Sequence, residues 1–343
     1  MTAYTLHHGD CLDVMRGMAD NSVDLIATDP PYFKVKGEAW DRQWDTPAKF
    51  LAWIGTLADE WQRVLKPNGS LYVFASPKMS ARVEVTIGQR FEVLNNITWR
   101  KHDGTENEGG LWSRASKEAL RRYFEQKECV IFAEHYGSDG YAKGEAGYAT
   151  KCDELRGFVF EPIRAYLASE RDRAGLNTQD VAEAWRVKTS NANRTGMAGH
   201  WFERVQWSLP TRANYEWLRE TFSRLNHGGE YLRKDYEELR KDYEELRRPF
   251  AVTADVPYTD VWTFPTVGYY KGKHVCEKPL AMMRHIVAAS SRPGAVVLDC
   301  FMGSGVTGEA CRQLGREFIG IDADAHWVEQ ARARIEAAQV PML

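Results

Sequence analysis

Val23-Asp24-Leu25-Ile26-Ala27-Thr28-Asp29-Pro30-Pro31-Tyr32 is an apolar run that stops at an acid and two prolines. A short β-branched and aliphatic run ending this way reads as a buried strand that cannot continue, because proline lacks the ladder donor and fixes φ. Asp29, Pro30, Pro31 and Tyr32 therefore stand at the carboxyl edge of a strand, where open α/β sheets bind their ligands. A carboxylate, two stiff carbonyl-bearing residues and a phenol ring facing one crevice can accept hydrogen bonds from an exocyclic amine and stack a flat ring. A proline-rich turn with an exposed tyrosine is the plain alternative, and four residues alone do not separate the two.

The second anchor lies far along the chain, at Val296-Val297-Leu298-Asp299-Cys300-Phe301-Met302-Gly303-Ser304-Gly305-Val306-Thr307-Gly308 and then Phe318-Ile319-Gly320-Ile321-Asp322. Strand, glycine-spaced turn, helix and a second strand ending in an acid describe a nucleoside-binding unit: the glycines admit close backbone approach and the acid accepts from ribose hydroxyls. It is not a phosphate loop. No lysine follows the glycines, and Asp299 just before them would repel a pyrophosphate while suiting a cationic amino-acid group.

Together the anchors resemble the β class of amino-directed DNA methyltransferases, which use S-adenosylmethionine. The resemblance rests on Gly9-Asp10-Cys11, then Asp29-Pro30-Pro31-Tyr32, then Lys278-Pro279 ahead of Phe301-Met302-Gly303-Ser304-Gly305. It implies a Rossmann-like α/β sheet in circularly permuted order, with a mainly helical target-recognition region inserted. The expected division is a catalytic half at 1–150, the insert at 151–256 and a cofactor half at 257–343. On the cofactor side the resemblance assigns Asp10 to the adenine amine, Asp322 to the ribose, and Phe301 with the Gly303-Ser304-Gly305 backbone to the methionine part. It also sets Asp299 near the ammonium, with Cys11, Asp29, Lys278 and Thr307 in the same pocket. Cys300 stands where the family often has proline. An aspartate as first motif residue favours N6-adenine over N4-cytosine as target.

Composition is that of a globular protein: 43% hydrophobic and 27% charged residues over 343 positions, enough for a large core and a smaller insert. A net charge of −3 argues weakly against nucleic acid, but seven Lys+Arg against three Asp+Glu from Arg186 to Arg224 allow a local basic surface. The six cysteines form no Cys-x-x-Cys pair, which points to reduced, buried thiols and no metal site. Without a signal-like or membrane-length apolar run, a cytoplasmic, nucleoid-associated protein is expected.

Between the anchors, Thr46-Pro47 supplies a cap and a first-turn proline, and Phe50, Ile54, Leu57, Trp61 and Val64 follow at helical spacing. Lys66-Pro67-Asn68-Gly69 reads as the turn ending that helix, before a strand at Ser70–Ala75. Asp10 also reads as a helix cap. Residues 101–122 read as a loop able to touch DNA phosphates through Arg114 and Arg121, with a plain solvated loop fitting as well. In the insert, helical segments 161–174 and 178–187 flank Gly175-Leu176-Asn177. They suggest a helix-turn-helix whose next element carries Asn191, Asn193 and Arg194 toward base edges; a plain helical hairpin fits as well. The repeat Lys234–Arg240 and Lys241–Arg247 carries a four-three apolar seam. A bracing helix folded on its own chain is expected, with a homodimer contact as the alternative.

The reading is an enzyme that methylates double-stranded DNA by base flipping, with Asp29 and the Pro30 carbonyl accepting from the amine and Tyr32 stacking on the base. The rivals are an N4-cytosine enzyme, an RNA or small-molecule methyltransferase, and a non-catalytic helix-turn-helix regulator.

Overall fold

The computed structural model describes residues 3–102, 123, 125–135, 161–189, 199–203, 207–251 and 259–339. The chain divides into two units, residues 1–135 with 249–343, and residues 136–248. The first unit's amino-terminal part ends at His135, one residue past the strand that closes at Glu134, where a boundary after 150 is expected from sequence. The expected return at 257 moves to Pro249.

The first unit is built on one eight-stranded sheet. Its strands are β1 (Tyr4–His8), β2 (Val23–Thr28), β3 (Leu65–Ala75), β4 (Glu92–His102), β5 (Lys127–Glu134), β6 (Val261–Pro265), β7 (Val296–Asp299) and β8 (Glu317–Asp322). Their order is β1-β8-β7-β2-β3-β5-β4-β6. All pairs are parallel except those that β5 makes with β3 and β4. The amino-terminal β2 and carboxyl-terminal β7 are therefore neighbours, registered Leu25 to Val297 and Ile26 to Leu298. This is the permuted Rossmann-like order, and the two anchor stretches meet where the halves of the sheet join.

Helices cover both faces, as a parallel sheet requires. On one face α1 (Cys11–Arg16), α2 (Pro47–Val64) and α3 (Ser80–Ile87) bury Met15, Ile54, Trp61 and Ile87. On the other, α8 (Leu280–Ser290), α9 (Val306–Leu314) and α10 (Ala325–Ala337) bury Met282, Ile286, Ala310, Val328 and Ile335; labels α4 to α7 belong to the insert. The spacing of α2 holds: Thr46 caps it on the Lys49 amide, and Phe50, Ile54, Leu57, Trp61 and Val64 are all buried. The turn expected at Lys66–Gly69 is instead part of β3. The ladder accommodates it as an irregularity, with Val23 opposite Leu65 but Leu25 opposite Ser70. Pairing with β5 starts only at Ser70, so Pro67 removes no donor from that ladder.

The second unit has its own core. Its described helices are α4 (Glu161–Arg173), α5 (Thr178–Thr189), α6 (Arg212–Leu225) and α7 (Tyr236–Leu246). Gly175 takes the left-handed conformation (φ 65°) in the turn between α4 and α5. Asn177 Oδ1 caps α5 by accepting from the Gln179 and Asp180 amides at 2.8 and 3.1 Å, and Asp180 reaches back to the Asn177 amide. Leu167, Val181, Trp201, Tyr215, Phe222 and Leu239 are buried together. Trp201 and Phe202 belong to this core, and the Trp207 indole donates to the Trp201 carbonyl at 3.0 Å. The repeat forms α7, and its seam is used inside the unit: Leu239 is fully buried, with Tyr236, Tyr243 and Leu246 packed on the same core. Asn191, Asn193 and Arg194, like Arg114 and Arg121, lie outside the described residues.

Candidate active site

Four parallel strands end at one edge and each delivers an acid there: Asp10 after β1, Asp29 after β2, Asp299 closing β7 and Asp322 closing β8. They line a cavity of about 360 Å³, together with Cys11, Pro30, Pro31, Tyr32, Lys278, Phe301, Gly303, Ser304 and Thr307. Of the expected catalytic and cofactor residues, Gly305 alone does not line it. It is left-handed (φ 76°) and opens α9, and a Cβ there would lie 2.6 Å from the Cβ of Ala331. Gly305 thus lets α9 and α10 close behind the turn. The cavity also takes Trp40, Trp53, His274, Glu277 and Trp327, none of which the sequence singled out. Trp53 faces Phe301 at 5.8 Å between ring centroids, and His274 meets Trp327 edge-on at 4.5 Å.

The four acids differ in what already holds them. Asp10 Oδ1 caps α1 through the Leu12 and Asp13 amides at 2.9 and 3.3 Å, so the cap reading and the pocket position coexist. Asp322 uses Oδ2 on the Gly303 amide and Oδ1 on the Asp324 amide, both at 2.9 Å, thereby shaping the glycine turn. Asp299 is fully engaged: Oδ1 accepts from Thr28 Oγ1 and the Phe301 amide at 3.1 Å each, and Oδ2 from Thr307 Oγ1 at 2.6 Å. Burial pushes its carboxyl up to about 6 in spite of those donors. Asp299 ties β7, β2 and α9 together.

Asp29 is arranged differently. Its Oδ2 accepts from the Lys278 ammonium, while Oδ1 is buried and has no hydrogen-bond partner among the described residues. Burial pushes this carboxyl up, opposed by Lys278. The Tyr32 hydroxyl lies beside the same carboxyl, and an acceptor oxygen placed like Oδ1 suits a ligand N–H. Tyr32, buried, turns its hydroxyl to Glu128 Oε2 at 3.2 Å. Lys278 was expected among the cofactor residues; it lines that cavity, but its ammonium is engaged by Asp29 and lies 3.4 Å from Glu128.

The wall is acidic. Asp10, Asp29, Glu277, Asp299, Asp322 and Asp324 face Lys36 and Lys278 across the cavity, and Lys278 is already paired. Such a wall disfavours phosphate groups and favours a ligand carrying ammonium and sulfonium charge. The volume lies within the ordinary range for small-molecule sites, roughly 300–1,000 Å³. S-adenosylmethionine, which carries both charges, suits such a cavity.

Fold and site together define an α/β transferase that holds a cationic nucleoside cofactor beside an open amine acceptor. The chain belongs to the DNA methylase family, whose profile matches residues 23–333; the family depends on S-adenosylmethionine. Over 344 residues it is 24% identical to the DNA adenine methyltransferase YhdJ of Escherichia coli (strain K12), covering 98% of this chain and 84% of that protein. Over 353 residues it is 26% identical to the type II methyltransferase M2.DpnII of Streptococcus pneumoniae, covering 97% and 89%. The solved structure of the PvuII DNA methyltransferase (cytosine-N4-specific) shares the fold, with a TM-score of 0.52, 11% identity, and coverage of 97% of this chain and 86% of that one.

Proposed function

We propose that the protein transfers a methyl group to the N6 amine of adenine in double-stranded DNA, at a specific sequence and on a flipped-out base. The unpartnered Oδ1 of Asp29 carries this reading. An exocyclic amine has two N–H groups; Asp29 Oδ1 accepts one and the Pro30 carbonyl the other, which draws the nitrogen toward a tetrahedral geometry and frees its lone pair. Bound S-adenosylmethionine supplies an electrophilic methyl on a sulfonium. Positive charge that develops on the amine is stabilised by the adjacent carboxylate, so no strong base is needed, and the amine loses its proton after attack. Tyr32 stacks on the extruded base, which offsets part of the few kcal/mol that unstacking costs. The aspartate at the first motif position and the adenine-directed name of the Escherichia coli relative support adenine.

Asn191, Asn193, Arg194, Arg114 and Arg121 are the proposed DNA contacts. A homodimer through the 234–247 repeat is not favoured, since the seam of α7 is already covered by its own unit. No helix among the described residues is long and apolar enough to cross a membrane, and a cytoplasmic, nucleoid-associated location follows from the DNA substrate. The test is tritiated-methyl transfer to plasmid DNA, then nucleoside chromatography. N6-methyladenine is expected; label in N4-methylcytosine overturns the adenine assignment.

A further inference from the structure

Asp29 does not stand alone. Lys278 bridges two carboxylates: it donates to Asp29 Oδ2 and lies 3.4 Å from Glu128 Oε2, while Glu128 Oε1 receives the Lys101 ammonium at 2.5 Å and Oε2 receives the Tyr32 hydroxyl at 3.2 Å. The groups come from four places, namely the ends of β2 and β4, the start of β5 and the segment before α8. Lys278 is 5% exposed and also lies 4.9 Å from the Phe74 ring centre and 5.5 Å from that of Tyr32. Lys278 is the buried member of the cluster, and the two carboxylates beside it, with the half-buried Lys101 on the far side of Glu128, balance its charge, which is what makes its burial tolerable.

We propose that Glu128 is a positioning residue of the methyl-transfer site, acting through Lys278 on Asp29 and through the Tyr32 hydroxyl on the stacking ring. The proposal rests on the methyltransferase reading of this site. Without Glu128, Lys278 keeps Asp29 and the Cys276 carbonyl but loses its second carboxylate, and the Tyr32 hydroxyl loses its acceptor on Glu128. With it, the ammonium is fixed on Oδ2, so Oδ1 is the oxygen left for the amine. A single carboxylate thereby sets both the acceptor and the ring, the two elements whose relative position decides whether the flipped amine is aligned. Lys101 holds Glu128 from the other side and lies 5.4 Å from the Trp99 ring centre.

The charges facing Asp29 are Lys278 and Glu128, with the Tyr32 hydroxyl beside it, Asp299 at the end of the neighbouring strand, and the Cys276 thiol, kept neutral by burial that pushes it up to about 11. Lys278 favours the Asp29 carboxylate and Glu128 opposes it. Removing each should therefore move the acidic limb of kcat/KM in opposite directions, up in pH for Lys278→Met and down for Glu128→Gln. A merely structural pair would not do this.

The experiment measures methyl transfer to duplex DNA between pH 5 and 9 for wild type, Glu128→Gln, Lys278→Met, Lys278→Arg and Tyr32→Phe, with cofactor affinity by calorimetry. Glu128→Gln is expected to lose on the order of 10-fold or more in kcat/KM. Its acidic limb moves down, and cofactor affinity is unchanged; Lys278→Met moves the limb up and Lys278→Arg restores it. Tyr32→Phe keeps the ring without the tether and is expected to raise KM for DNA; should Glu128→Gln fail to fold, that variant decides. An active wild type whose Glu128→Gln and Tyr32→Phe variants keep its rates and pH profile overturns this proposal alone. A wild type that transfers no methyl group overturns the function and this proposal with it.

Discussion

Asp29 and Asp299 end adjacent parallel strands, face the same cavity and are both raised by burial, yet one is closed and the other open. Asp299 accepts from three donors of its own chain, so its carboxylate works as a rivet between β7, β2 and α9. Asp29 has one oxygen fixed by Lys278 and one without a hydrogen-bond partner among the described residues. The same side chain at equivalent places in the sheet is thus tied into the fold in one case and, in the proposed reaction, left to accept from the target amine in the other. Hydrogen-bond saturation, more than burial or charge, tells the two roles apart.

Three measurements press on that contrast. Asp299→Ala should be the most disruptive, because it strands two threonine hydroxyls and the Phe301 amide: a loss of roughly 3–5 kcal/mol of stability in urea unfolding is expected. Asp29→Ala combined with Lys278→Met, which also removes the ammonium that would be left unpaired, should cost clearly less by the same measurement, and an equal loss would break the distinction. A second test uses pH. A carboxyl raised to about 6 in the folded protein holds its proton there at pH values where the unfolded chain has lost it. Its contribution to stability is therefore greatest below about pH 4 and declines as pH rises through 6, by on the order of 2–3 kcal/mol. Asp299→Asn should remove this part of the slope in urea midpoints between pH 4.5 and 7, leaving the parts due to other acids. The smallest effect is expected on the ribose side: Asp322→Ala should weaken S-adenosylmethionine by roughly 1–3 kcal/mol in calorimetry, with melting little changed. Unaltered affinity would move the ribose acceptor elsewhere.

Much of this was legible in the chain because it depends on local pattern. The apolar spacing of α2, the capped turn at Gly175–Asn177 and the glycines at 303 and 305 each state their geometry within a few residues. The meeting of the two anchors was legible only through resemblance, since nothing local says that β2 pairs with β7. What stayed hidden is tertiary. Glu128 is the second residue of its strand, behind the exposed Lys127, and nothing in the local sequence marks it; its meaning comes from Lys101, 27 positions away, and from Lys278 on a distant segment. Lys278 likewise shows its partner only in the fold, 249 positions from Asp29. Pro67 and Gly69 misled because turn residues are compatible with a strand end whose second ladder has not begun. The Trp53, His274 and Trp327 walls carry no motif at all, only position.

The most direct test is the single-turnover rate of methyl transfer by Asp29→Ala, measured beside its affinities for cofactor and duplex DNA. The carboxylate acts most strongly when the amine turns tetrahedral and positive, so the rate should fall on the order of 10²-fold or more while both affinities change little. An Asp29→Ala variant with full turnover would contradict the account, because the open oxygen would then accept nothing that the reaction needs.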